Sequence, residues 1–243
     1  MSYSNGPKMV TSGLVFCADA ANVKSYTSGS TIWRDLSANA RTGSLINGPT
    51  YSTSSLGSIT FDGTNDYVSF GNILDNIPSM TICSWFNVLA PFSSSKYITI
   101  FKKCNDIFGE AGWALYAFRP STLSTNFQTL VLCQSDFGNE FNQPTTTSVF
   151  SLNTWLYMCG RVNTFNSIDV FMNGIQQGIG PYQFGTITSI SNTAIVDVAR
   201  DDISGGNVVY GNMRTGMLQL YNRALTNAEI LQNYNANKGR FGL

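Results

Sequence analysis

Short apolar runs separated by turn residues recur along almost the whole chain. The runs are Leu14–Ala18, Ser58–Phe61, Tyr67–Phe70, Met80–Val88, Ile98–Lys102, Trp113–Phe118, Thr129–Gln134, Trp155–Val162, Ile168–Met172, Ala194–Ala199 and Gly216–Asn222. Several alternate with a period of two. In Ile168–Met172, Ile168, Val170 and Met172 share one face, while Asp169 and Phe171 share the other. Many short alternating runs with turn signals between them predict an all-β, two-sheet antiparallel sandwich. The seven prolines fall at run edges or between runs, where a missing N–H costs no ladder bond. In FMNGIQQG, Asn173-Gly174 predicts a tight hairpin, because both residues accept left-handed conformations. In FDGTNDYV, Asp62-Gly63 and Asn65-Asp66 predict a second hairpin, with Phe61 and Tyr67 packed at its base.

Helical periodicity enters only at the end. TNAEILQNYNANK carries Thr226 as N-cap and Glu229 three residues later, the spacing of a capping box. Ala228, Leu231 and Tyr234, with Ile230 beside them, predict one apolar stripe on a helix over Asn227–Ala236, stopped by Gly239. There is no fixed-period repeat, heptad stretch or linker. The division that follows is an arm at 1–12, one sandwich domain at 13–237 and a tail at 238–243.

Composition narrows the function. Of 243 residues, 43% are hydrophobic, enough for a filled interior, but only 12% are charged. That is about half the usual share, so Ser, Thr, Asn, Gln and Gly must cover the surface. Fourteen Lys and Arg balance fourteen Asp and Glu, and no basic run exists. Without a basic face to displace counterions from phosphate, nucleic acid is excluded as a partner. Near-zero charge leaves little repulsion against self-association. No apolar stretch approaches the ~20 residues of a membrane-spanning helix. The start, MSYSNGPKMV, has neither the basic nor the apolar region of a secretion signal. The expectation is synthesis and assembly in a cytoplasm. Five cysteines and no histidine are present, with no C-x-x-C spacing, which argues against zinc. Cys17, Cys83, Cys133 and Cys159 sit in apolar runs and read as buried, reduced hydrophobes; Cys104, in FKKCND, is the candidate for exposure.

Several of these strings together carry a family resemblance. NGPKMVTSGLVFCADAANVKSY, TIWRDLSANARTGSLINGPTY and SITFDGTNDYVSF resemble the opening of concanavalin A-like domains in virion proteins of tailed phages, especially those of marine cyanobacteria. NTWLYMCGRVNTFNSIDVFMNGIQQG is similar to the laminin G-like Trp strand and the following Asn-Gly hairpin, and GMLQLYNRALTNAEILQNYNANKGRFGL to the closing strand and helix. The resemblance implies a concanavalin A-like jelly roll with a short C-terminal helix. It further implies a virion location, with other virion proteins and further copies of the chain, or a lattice, as partners. Physically, Trp155 is expected to fill the space between the sheets, and Tyr221 and Arg223 to tie the last strand to the helix. Within that family the chain reads as a non-enzymatic decoration, neck or tail protein. A receptor-binding lectin module of a tail fibre is the alternative, and a polysaccharide-degrading hydrolase comes third. The arms 1–10 and 238–243 are the expected contacts with neighbours.

Catalysis lacks its parts. Glycoside hydrolases of related fold use closely spaced carboxylates on one strand face. This chain has only Glu110, Glu140 and Glu229, and neither Glu110 nor Glu140 has an acidic residue two positions on. With no histidine, a Ser-His-Asp or Cys-His arrangement cannot form. For calcium, which needs six to eight oxygen ligands, the candidates are Asp62, Asn65 and Asp66 in one turn and the adjacent pair Asp201 and Asp202. The alternative is that Asp and Asn occupy turns because their side chains bond nearby backbone. For a glycan of a host surface, the candidate platforms are Trp113, Phe108 and Tyr182, with Phe137 nearby in sequence character.

Overall fold

A computed structural model of the chain describes residues 7–75, 77–90, 97–104, 111–118, 128–134, 141–177, 183–203 and 207–243. The strands among them are β1 (Leu14–Asp19), β2 (Ile32–Arg34), β3 (Thr42–Ile46), β4 (Thr50–Ser52), β5 (Ser58–Asp62), β6 (Tyr67–Ser69), β7 (Met80–Val88), β8 (Tyr97–Lys103), β9 (Gly112–Phe118) and β10 (Gln128–Gln134). They continue as β11 (Phe141–Asn142), β12 (Leu156–Thr164), β13 (Ser167–Met172), β14 (Ile175–Gln176), β15 (Gln183–Phe184), β16 (Val196–Val198), β17 (Arg200–Ile203), β18 (Asn207–Tyr210) and β19 (Asn212–Tyr221), followed by helix α1 (Asn227–Asn237).

Two antiparallel sheets stack face to face. One runs β14-β13-β12-β7-β19-β5-β4, with β1 also on β19; the other runs β15-β11-β10-β9-β8-β16-β6-β3-β2. We call them the helix sheet and the hairpin sheet, after what covers the outer face of each. The hairpin is β17–β18, which pairs only with itself and packs across β8. Both sheets end in strands of two or three residues, which leaves little backbone for strand addition at their edges.

The space between the sheets holds Phe16, Trp33, Phe61, Phe86, Phe101 and Trp113, all at or below 1% exposure. Each such side chain contributes roughly 1.5–3 kcal/mol of burial. Strand β7 shows how both faces come to be filled. Met80, Ile82, Phe86 and Val88 enter this core, while Cys83 and Trp85 enter a second cluster on the outside of the same sheet. All nine residues of the strand are buried, as a central strand covered on both faces requires.

That second cluster is closed by the C-terminus. Thr226 and Glu229 form the capping box, and Arg223 grips both oxygens of Glu229 at 2.6 and 2.9 Å. Ile230 and Asn233 are the buried residues of the helix. Asn233 accepts from the Val10 backbone N–H and donates to the Tyr221 hydroxyl, which donates to the Val10 carbonyl. A 3-10 turn, Lys238–Phe241, then lays Phe241 flat on Trp85 at 4.2 Å between ring centres. A Cβ at Gly216 would lie 2.7 Å from that ring, so the glycine is what admits it.

Several expectations are corrected here. The docking stripe is rotated: Leu231 is 43% exposed and Ala228 is exposed, while a satisfied polar residue, Asn233, sits at the centre. Gly239 does not end the helical segment; Gly242, at φ 78°, closes the turn after it. Residues 238–243 are no free tail, because Phe241 is anchored and Arg240 bonds four backbone or side-chain oxygens. Of the arm, residues 8 and 10 bond Gln232 and Asn233 along the helix; residues 1–6 lie outside the described residues. Trp155 lies under Phe241, at 4.7 Å, and not between the sheets. FDGTND joins no hairpin: β5 belongs to the helix sheet and β6 to the hairpin sheet, so the turn is a corner between them. Phe61 does reach the core, and Asn173-Gly174, both at positive φ, turn the β13–β14 hairpin as expected. Cys83 and Cys159 are bonded, because the β7–β12 register sets them directly opposite with Cα atoms 4.2 Å apart. Cys104 and Cys17 are buried.

Candidate functional site

Strands β8 and β9 present alternate side chains on the outer face of the hairpin sheet. On β9, Trp113, Leu115 and Ala117 point into the core, so Ala114, Tyr116 and Phe118 point out. On β8, Tyr97 stands opposite Phe118 and Thr99 opposite Tyr116; an irregularity between Thr99 and Phe101 then places Lys102 opposite Ala114. Tyr97 stacks on Phe118 at 5.2 Å and meets Tyr116 edge-on at 5.8 Å. Tyr116 is fully buried, whereas Tyr97 and Phe118 are half-buried and leave part of their rings accessible. Burial raises the Tyr97 hydroxyl above its ordinary pKa. The result is an aromatic platform mounted on two paired strands.

Beside it, the β17–β18 hairpin is held down by charge. Lys102, itself buried, bonds Asp201 at 2.9 Å and lies 3.8 Å from Asp202. Arg200 bonds Asp202 at 2.7 Å and Asp197 at 3.1 Å, and its guanidinium covers the Tyr67 ring at 5.0 Å. Tyr67 in turn lies 6.1 Å from Tyr210. Burial pushes the Asp201 and Asp197 carboxyls up in pKa, against the pull of Lys102 and Arg200. Burial works to lower Lys102, and Cys104, Asp201 and Asp202 outweigh it, so the amine is held charged. Three carboxylates face two cations, and one oxygen of Asp197 is buried with no hydrogen-bond partner among the described residues. Asp197 and Asp201 are 1% and 4% exposed. The network positions the hairpin on the sheet.

Trp113 is corrected as a sugar platform: it is 1% exposed, packs edge-on against Phe101 at 5.1 Å, and lies one alternation step from the correct face. Phe108, Tyr182 and Phe137 lie outside the described residues, as do Glu110 and Glu140. The calcium candidates also find other partners. One oxygen of Asp62 accepts from the Thr64 and Asn65 backbone, and Asp66 accepts from the Asp62 backbone. The Thr64 amide keeps Asp62 below the usual carboxylate range, while burial raises Asp66. Asn65 serves through its carbonyl, bonded by Asn47. Asp201 and Asp202 face Lys102 and Arg200. Among the described residues no group of three acidic, His or Cys side chains could hold a metal.

Missing from the sequence reading were Tyr97, Tyr116, Phe118 and Lys102. The parity of GWALYAF held the signal: once Trp113 is core, Tyr116 and Phe118 must face outward.

Comparison with known proteins agrees with this architecture. The binding domain of Paraclostridial Mosquitocidal Protein 1 superposes with a TM-score of 0.67 at 16% identity, over 92% of this chain and 52% of that one. Trypanosoma rangeli sialidase, in complex with 2,3-difluorosialic acid, gives 0.65 at 12% identity, over 97% and 35%. The botulinum neurotoxin serotype D binding domain gives 0.63 at 12% identity, over 91% and 51%. The chain thus spans about half or less of each of these structures. No curated protein matches its sequence. Residues 62–231 match the family model of the concanavalin A-like lectin/glucanases superfamily, and the chain belongs to that family.

Proposed function

We propose that this chain is a non-catalytic recognition domain that binds saccharide on the outer face of its hairpin sheet. The observation that carries this reading is the Tyr97–Phe118 stack, half-buried on paired strands beside acids paired with Lys102 and Arg200. A sugar ring would lay its C–H face on the stack. The similar structures include the binding domains of two toxins and a sialidase, which supports recognition as the theme. The setting we propose is a virion surface assembled in a host cytoplasm, where many copies would multiply a weak site. The phage-like strings at both ends support it.

A glycan array with the intact protein tests the reading, alongside Tyr97→Ala and Phe118→Ala. Binding of a defined saccharide set, lost by about tenfold or more in both variants, is the expected result. Binding unchanged in both, or release of free sugar from the bound glycans, would overturn it.

A further inference from the structure

The other end of the molecule holds a cavity of about 780 Å³ that the reading above leaves unused. One wall is the turn after β1, with Asn22 and Val23; the other is the end of α1, with Asn235, Asn237 and Lys238. Its base is Arg240. That guanidinium donates to Asp19 at 2.7 Å, to the carbonyls of Ser55 and Gly57 at 2.8 and 2.7 Å, and to Gly216 at 3.2 Å. One side chain thus pins the β1 turn, the 54–57 turn and β19 together, so the walls are pre-formed.

Two features point to a ligand. First, Ser55 and Leu56 both adopt left-handed backbone, at φ 55° and 61°. A branched residue there is strained, and Leu56 gains little burial in return, being 59% exposed at the cavity rim. Val23, 79% exposed, and Leu243, 44% exposed, complete an apolar rim. Second, the charge is unbalanced. Asp19 and Arg240 neutralise each other at 2.7 Å, while Lys238 forms no ion pair among the described residues. Its Nζ rests 5.5 Å from the centre of the Tyr234 ring.

We infer that this cavity is a second binding site, for a carboxylated saccharide. The sugar carboxylate would pair with Lys238, its hydroxyls would bond the Asn22, Asn235 and Asn237 amides, and its C–H faces would rest on Leu56 and Val23. The site lies in a different part of the molecule from the Tyr97–Phe118 platform and works independently of it.

The test is titration calorimetry of the full chain with a glucuronate-containing disaccharide and with its carboxyl-reduced, neutral counterpart. The acid should bind at least tenfold more tightly, and Lys238→Gln should erase that preference. Leu56→Gly should weaken binding of the acid several-fold with a melting temperature equal to or above that of the parent, because glycine accepts the left-handed backbone. Both variants should retain array binding at the platform, and Tyr97→Ala should retain the acid preference. Equal affinity for the two sugars, no binding of either, or an acid preference that survives Lys238→Gln would overturn the inference. So would a lowered melting temperature in Leu56→Gly with unchanged binding, which would make Leu56 a structural residue.

Discussion

The two outer faces of this sandwich are closed by different physics. On the helix sheet, Trp85, Trp155, Tyr157, Ile230 and Phe241 form an apolar and aromatic seal, with the hydrogen-bonded side chains of Thr81, Gln219 and Asn233 buried in it. On the hairpin sheet, a two-stranded hairpin rests on Lys102 and Arg200 set against three aspartates, next to aromatic rings that stay partly accessible. An apolar seal contributes in proportion to buried area and responds little to salt or pH. An ionic one contributes only while its partners match, because each buried charge carries a desolvation cost. The comparison gives permanence to the first face and leaves the second for the recognition proposed above.

The sharpest way to break the comparison is at the seal. Phe241→Ala should cost about 3–5 kcal/mol in urea unfolding, since it removes a ring stacked on Trp85 and tilted against Trp155. Hydrogen exchange should rise along α1 and stay unchanged in the β17–β18 hairpin. Next comes Asp201→Asn, which leaves Lys102 buried without its nearest partner and should cost about 3 kcal/mol. Here exchange should rise in the hairpin and not in the helix. Replacing both partners, Lys102→Met with Asp201→Leu, should recover most of that loss.

Smaller effects sharpen the picture. Glu229→Ala removes the capping box and the Arg223 pair, for about 1 kcal/mol. The Arg223 hydrogen bonds, followed by the Thr226 backbone amide, depress the Glu229 carboxyl to about 2. A depressed carboxyl stabilises the fold fully above its unfolded value. This contribution should therefore fade as pH drops from about 4.5 toward 2, and circular dichroism of the parent against Glu229→Ala would show the two converging there. Asp197→Asn should be the mildest change. Burial raises Asp197, so the native state prefers it protonated, and its charge costs stability as pH rises through the raised value. The variant should match or slightly exceed the parent at pH 7 in melting temperature and should lose that pH dependence.

How much of this was legible depends on the range of the interaction that decided each element. The capping box of Thr226 and Glu229 spans three residues and was readable outright. The Asn173-Gly174 turn was readable for the same reason. The sandwich itself followed from alternation within runs. What alternation alone does not supply is which parity faces inward, and so Trp113 was assigned to a surface it does not reach. Strand β7 hid its two faces because both are buried. The Cys83–Cys159 bond joins residues 76 apart and depends on β7 lying beside β12. The hairpin Arg200–Tyr210 was missed because RDDISGGN reads as a charged loop until Lys102 is placed beneath it. The cavity on Arg240 brings together three distant segments and had no local signature.

Hydrogen exchange of the intact protein, with and without the saccharide its array selects, tests the central claim most directly. The account predicts slowed exchange in Tyr97–Lys103 and Gly112–Phe118, with the sugar recovered whole. Protection confined to the helix sheet, or recovery of cleaved sugar, would contradict it.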